Sequence, residues 1–146
     1  MKIYVALMSL IVAMLLVAAR VDARDDRLHL SIKDAMETAD AKAKLTGEIK
    51  FFFGSQKYPK PAQTMGTFTS NKKSNFANKS DKVGCDYVFL SALLALQDRA
   101  VKEGGNAVVD IHSIYKNAPF KSETEYECGA GSFVGGVALR GTVVKL

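Results

Sequence analysis

Two cysteines, Cys85 and Cys128, are the only thiols in the 146 residues, and they are the side chains best placed to do chemistry. In an oxidising compartment, two cysteines in a small exported domain bond to each other, so a structural disulfide is expected. A redox role is not. The pair lacks Cys-x-x-Cys spacing, and neither thiol has a histidine neighbour in sequence to lower its pKa.

Asp110 and His112 stand two apart in a β-rich stretch, which would project both from one strand face as a pair of metal ligands. A metal site needs more than two ligands, and His29 is the only other histidine, so no metal site is assigned. No G-x-S-x-G occurs to mark a serine nucleophile. The glycines at 129, 131, 135 and 136 do not form a phosphate-binding G-x-x-x-x-G-K-[ST]. No acid, base and nucleophile can be assembled, so no enzyme and no cofactor are expected.

These residues sit on a chain of one domain's length, 48% hydrophobic and 24% charged, a composition that can bury an ordinary core. Residues 3–19 are apolar apart from Tyr4 and Ser9, follow Lys2, and precede Val21-Asp22-Ala23. That reads as a signal peptide over 1–23, with cleavage after Ala23 and Ala19 as a second site. The mature domain, 24–146, is then periplasmic or secreted, with no membrane anchor after cleavage. Loss of Lys2, Arg20 and Asp22 leaves 18 basic and 14 acidic residues, a net charge of +4. An excess of that size needs no reason beyond solubility, and no nucleic-acid partner is expected.

The elements that would position the cysteines follow from periodicity. A short strand is expected over 28–32. Ser31 and Asp34 then resemble a helix-capping box before an alanine-rich helix over 32–45. Strands follow over 48–53 and 65–70, separated by a loop containing Pro59 and Pro61. The lysine-rich stretch 71–82 around Phe76 reads either as a surface for phosphate and a stacked base, or more plainly as a solvated connection whose Phe76 turns back onto the domain. A long helix over 85–103, stopped by Gly104-Gly105-Asn106, places Cys85, Phe89, Ala92, Leu93, Leu96 and Ala100 on one face. Leu90, Leu94 and Val101 form a second apolar seam, which must meet the alanine helix or a second subunit.

Strands over 107–115 and 121–128 are expected to pair as an antiparallel hairpin. The second alternates as a solvated strand, with Ser122, Thr124, Tyr126 and Cys128 pointing one way and Lys121, Glu123, Glu125 and Glu127 the other. The last strand covers 137–146, with a bulge at Arg140-Gly141. The expected fold is α+β: an antiparallel sheet of four or five strands carrying one long helix on a face, with a shorter N-terminal helix.

The arrangement running from Cys85 through Gly104-Gly105-Asn106-Ala107-Val108-Val109 to Cys128 and the closing 135–144 resembles a family of small exported bacterial proteins commonly labelled excinuclease ATPase subunit. Phe51-Phe52-Phe53-Gly54 and Ser70-Asn71-Lys72-Lys73 extend the likeness over most of the mature chain. The ATPase label does not fit a chain without a nucleotide-binding motif. More distantly, 85–146 is similar to the folded domain of the Rcs envelope-stress sensor lipoprotein, which implies a pairing of Cys85 with Cys128. That sensor also has a lipid-anchored cysteine and a second disulfide, and this chain has neither.

The expected function is that of a non-enzymatic envelope interaction or stress-related module with a protein partner. The alternative is a periplasmic binder of a small ligand or metal beside Asp110 and His112.

Overall fold

A computed structural model describes residues 23–146. The export signal expected over 1–23 therefore lies, except for Ala23, outside the described residues. In chain order the elements are β1 (Asp26–Ser31), α1 (Ile32–Glu37), α2 (Ala39–Lys44), β2 (Lys50–Phe53), β3 (Gln63–Asn75), α3 (Asp81–Glu103), β4 (Ala107–Ser113), a 3-10 turn (Tyr115–Asn117), β5 (Glu125–Ala130) and β6 (Val134–Lys145). The class is α+β, as expected.

The six strands form one sheet around β6, whose length lets it serve three neighbours. Along one edge β3 runs antiparallel to it from end to end. The other edge is divided: Gly135 and Gly136 pair with β5, while Leu139 to Val144 pair with β4. Outside β5 lies β1, antiparallel. Outside β4 lies β2, and this pair is parallel. The sheet is therefore mixed rather than antiparallel, because β3 and α3 intervene between β2 and β4 and provide the crossover a parallel pair requires.

Helix α3 packs across one face. Ser80 caps its start by accepting from the Val83 amide at 3.2 Å, and Gly104, in the left-handed region at φ 79°, closes its end. Every residue of the expected face, Cys85, Phe89, Ala92, Leu93, Leu96 and Ala100, is buried in the main core. On the second seam Leu90 is buried, Leu94 is half-buried, and Val101 is exposed. Helix α1 packs against α3.

Phe76 decides how the helix starts. Its ring is buried between Gly84 of α3 and Gly135 of β6; a methyl group on either glycine would come within 2.8 Å and 2.1 Å of the ring. Gly84, which by propensity weakens a helix, is where the backbone yields space to the ring. Phe76 does turn back onto the domain, and it is not a surface stacking residue.

Five further expectations need correcting. The alanine helix is broken at Thr38, whose ψ of 151° is extended. Its hydroxyl donates to Ala35 O and accepts from the Ala41 amide, ending α1 and starting α2, as a threonine that competes for backbone partners can. Strand β3 extends to Asn75, so 71–75 is not loop: β6 offers it a full-length partner, and Lys72 and Lys73 sit on a sheet edge where charge discourages further pairing. Strands β4 and β5 do not form a hairpin; the connection between them is long, and both attach to the same edge of β6. The bulge lies not at Arg140-Gly141 but opposite it, where the β4 register shifts between Val109 and His112 and Asp110 takes φ 53°. Finally, β5 is buried on both faces from Tyr126 to Ala130, so Glu127 is not solvated.

Candidate functional site

Cys85 and Cys128 are bonded, with Cα atoms 6.0 Å apart and both side chains fully buried. The link pins the sheet-facing side of α3 to β5. Because Cys128 points toward the helix, strand alternation turns Glu127 and Gly129 to the opposite face of the sheet.

Asp110 and His112 take separate partners. The Asp110 carboxylate accepts from the Tyr58 hydroxyl at 3.2 Å, and burial together with that carboxylate raises the Tyr58 pKa. The His112 ring instead bonds through Nδ1 to the main-chain oxygen of Asp110 at 2.7 Å. The bulge breaks the alternation on which the expected pair depended. Among the described residues no three metal-ligating side chains gather, and three clefts of about 300 to 520 Å³ are lined by neither Asp110 nor His112.

What the fold brings together instead lies on the face away from α3. Register places His29 of β1 directly beside Glu127 of β5. His29 Nε2 lies 3.2 Å from Glu127 Oε2, and its ring stacks on Phe120 at 4.0 Å between centroids. Arg27 approaches the other carboxylate oxygen at 3.6 Å and places its guanidinium 5.5 Å from the centre of the Tyr115 ring. Glu127 is 5% exposed, so this carboxylate is an internal anchor beside which the half-exposed Arg27 and His29 side chains are arranged.

The chain between β4 and β5 completes the group. Ser113 and Phe120 exchange main-chain hydrogen bonds, and the Ser113 hydroxyl accepts from the Glu127 amide at 2.9 Å. The intervening turn is strained: Lys116 and Asn117 have φ of 51° and 60°, values a non-glycine residue adopts at a cost of about 1 kcal/mol or more. That turn lays Tyr115 over Gly129, where any Cβ would lie 2.0 Å from the ring. Tyr115 donates to Asp25 Oδ1 at 3.3 Å, and Lys116 pairs with the other oxygen of Asp25. Burial and the Asp25 charge raise the Tyr115 pKa, while the Lys116 ammonium holds the Asp25 carboxyl below the usual range.

One row crosses the sheet here: Arg27 beside Gly129, Gly129 beside Gly136, Gly136 beside Lys73. The Tyr115 ring covers Gly129 of this row, and a cation stands at each end of it. Arg140 lies further along the same face, bonded to Thr69. Nothing in the sequence marks this group, since His29 and Glu127 are 98 positions apart and meet only through the β1–β5 register.

Among the described residues no helix is long and apolar enough to cross a membrane. Comparison of the chain with protein families, curated proteins and solved structures finds no match.

Proposed function

We propose that this protein is a non-enzymatic binding module of an oxidising, extracytoplasmic compartment, and that its helix-free sheet face docks an acidic segment of a protein partner. The carrying observation is the held cluster of Arg27, His29, Tyr115, Lys116 and Phe120 around buried Glu127. Tyrosine and arginine are the side chains that most often carry interface energy, and a prearranged cluster loses little entropy on binding.

Charge favours an acidic partner. Arg27, Lys73 and Arg140 are exposed cations of this face, whereas Lys116 and Asp25 pair with each other and Glu127 is buried. Exposed Glu125 marks the far end of the patch. The buried disulfide supports an oxidising location.

A photo-crosslinking amino acid at Tyr115, compared with one at Lys102 on α3, tests this in the exporting cell. The expected result is an adduct from position 115 with one protein, mapped to an acidic segment by mass spectrometry and reduced by K73E with R140E. Equal adducts from position 102, or adducts insensitive to the charge reversals, would overturn the reading.

A further inference from the structure

On the helix side of the sheet, away from the proposed contact face, a cleft of about 300 Å³ lies between β3 and α3. Its walls include Phe68, Ser70 and Lys72, which alternate onto one face of β3, and Ala95, Leu96 and Arg99 from the helix. Two features of this cleft are not explained by packing. Ser70 is 6% exposed, yet its hydroxyl has no hydrogen-bond partner, although a buried hydroxyl ordinarily finds one. Arg99 holds its guanidinium over the Phe68 ring at 4.7 Å, and only one of its nitrogens is taken, by Glu103 at 3.2 Å.

The contact with the ring holds the guanidinium in place and leaves its remaining N–H groups free to donate, which favours recognition of an oxyanion. Lys72 adds a second positive charge at the same wall. A hydroxyl that rotates about one bond can supply a neutral donor between the two cations.

We infer that this cleft is a binding site for a small anionic group, a carboxylate or a phosphoryl group, held by Arg99 and Lys72 with Ser70 as the buried donor. The site stands independently of the contact face, because different residues on the other side of the sheet form it.

The test is a two-dimensional amide NMR titration of the chain purified from the exporting cell, with inorganic phosphate in one arm and acetate in the other. The expected result is saturable shifts centred on residues 68–72 and 95–99 with at least one of the two anions. The stronger arm tells which source the site prefers. R99Q should weaken that binding by about tenfold or more, the scale of a lost charge-assisted bond.

S70A separates ligand binding from packing. It should weaken the anion several-fold while leaving the melting temperature of the unliganded protein unchanged or raised, since the variant removes a buried hydroxyl that has no partner. No saturable shift in either arm would overturn the proposal. So would shifts centred on Arg27 and Lys73, or binding unaltered by both R99Q and S70A.

Discussion

Tyr126 donates its phenol proton to Asp86 Oδ1 across 2.7 Å, two positions before Cys128 and one after Cys85, so a buried hydrogen bond and the disulfide tie the same turn of α3 to the same stretch of β5. Lys82 bonds the other Asp86 oxygen at 2.6 Å. The Tyr126 ring stacks on Phe89 at 4.2 Å between centroids. The two links differ in kind, since one acts on the folded state and the other chiefly on the unfolded chain.

Removing the disulfide should therefore lower stability without changing the fold. A loop of 43 residues corresponds to about 4 kcal/mol in the chain-entropy account. The double variant C85A with C128A should unfold at lower urea by about that amount and keep its far-ultraviolet spectrum. A loss below about 1 kcal/mol would show that the unfolded chain is already constrained there.

The Tyr126 bond makes a separate prediction. Y126F leaves the nearly buried Asp86 carboxylate with Lys82 alone and should cost about 1.5 to 3 kcal/mol, measured by denaturant unfolding. Burial, then the bond to Asp86, pushes the Tyr126 pKa well above its usual value. Its contribution is thus complete below the ordinary tyrosine value of about 10 and is lost as pH rises beyond it. Ultraviolet titration should show this phenol ionising only when the chain unfolds.

Phe76 gives a test in which the sign is informative. Helix propensity alone predicts that G84A stabilises α3 by about 1 kcal/mol. A methyl group 2.8 Å from the Phe76 ring predicts the reverse, a net loss of about 1 to 3 kcal/mol, as overpacking does. Pairing G84A with F76L should recover part of that loss in a double-mutant cycle.

At acid pH the N-terminal strand should loosen first. Arg24 bonds Asp81 at the start of α3, and that bond, ahead of all other causes, lowers the Asp81 pKa. Lys116 does the same for Asp25. A lowered carboxylate contributes stability above the ordinary aspartate value of about 4, lost as pH falls through the folded value. Amide exchange in β1 should quicken below that range before exchange in β6 changes, and R24Q should remove part of the difference.

The extent to which the fold could be read from the chain tracks the range of the forces involved. Helix α3 was legible because its apolar period, which includes Cys85, and the stop at Gly104 are local properties. The α+β class followed from the succession of helix-period and strand-period stretches, and the joining of the two cysteines from their number. The break at Thr38 was harder, because a threonine inside an alanine-rich run carries no signal until its hydroxyl is seen serving both helices. Asp110 and His112 read as a pair only while β4 was regular.

By itself, then, the sequence determined the long helix, most of the strands, which face of α3 is buried and which thiols join, since each depends on neighbours within a few turns or on there being one partner available. Tertiary structure alone decided the mixed sheet, the burial of Glu127, its meeting with His29 and Arg27, and the unpartnered hydroxyl of Ser70 beside Arg99. Those depend on strand register, and register is set by the packing of the whole sheet against α3: a shift of one residue would carry Glu127 to the other face.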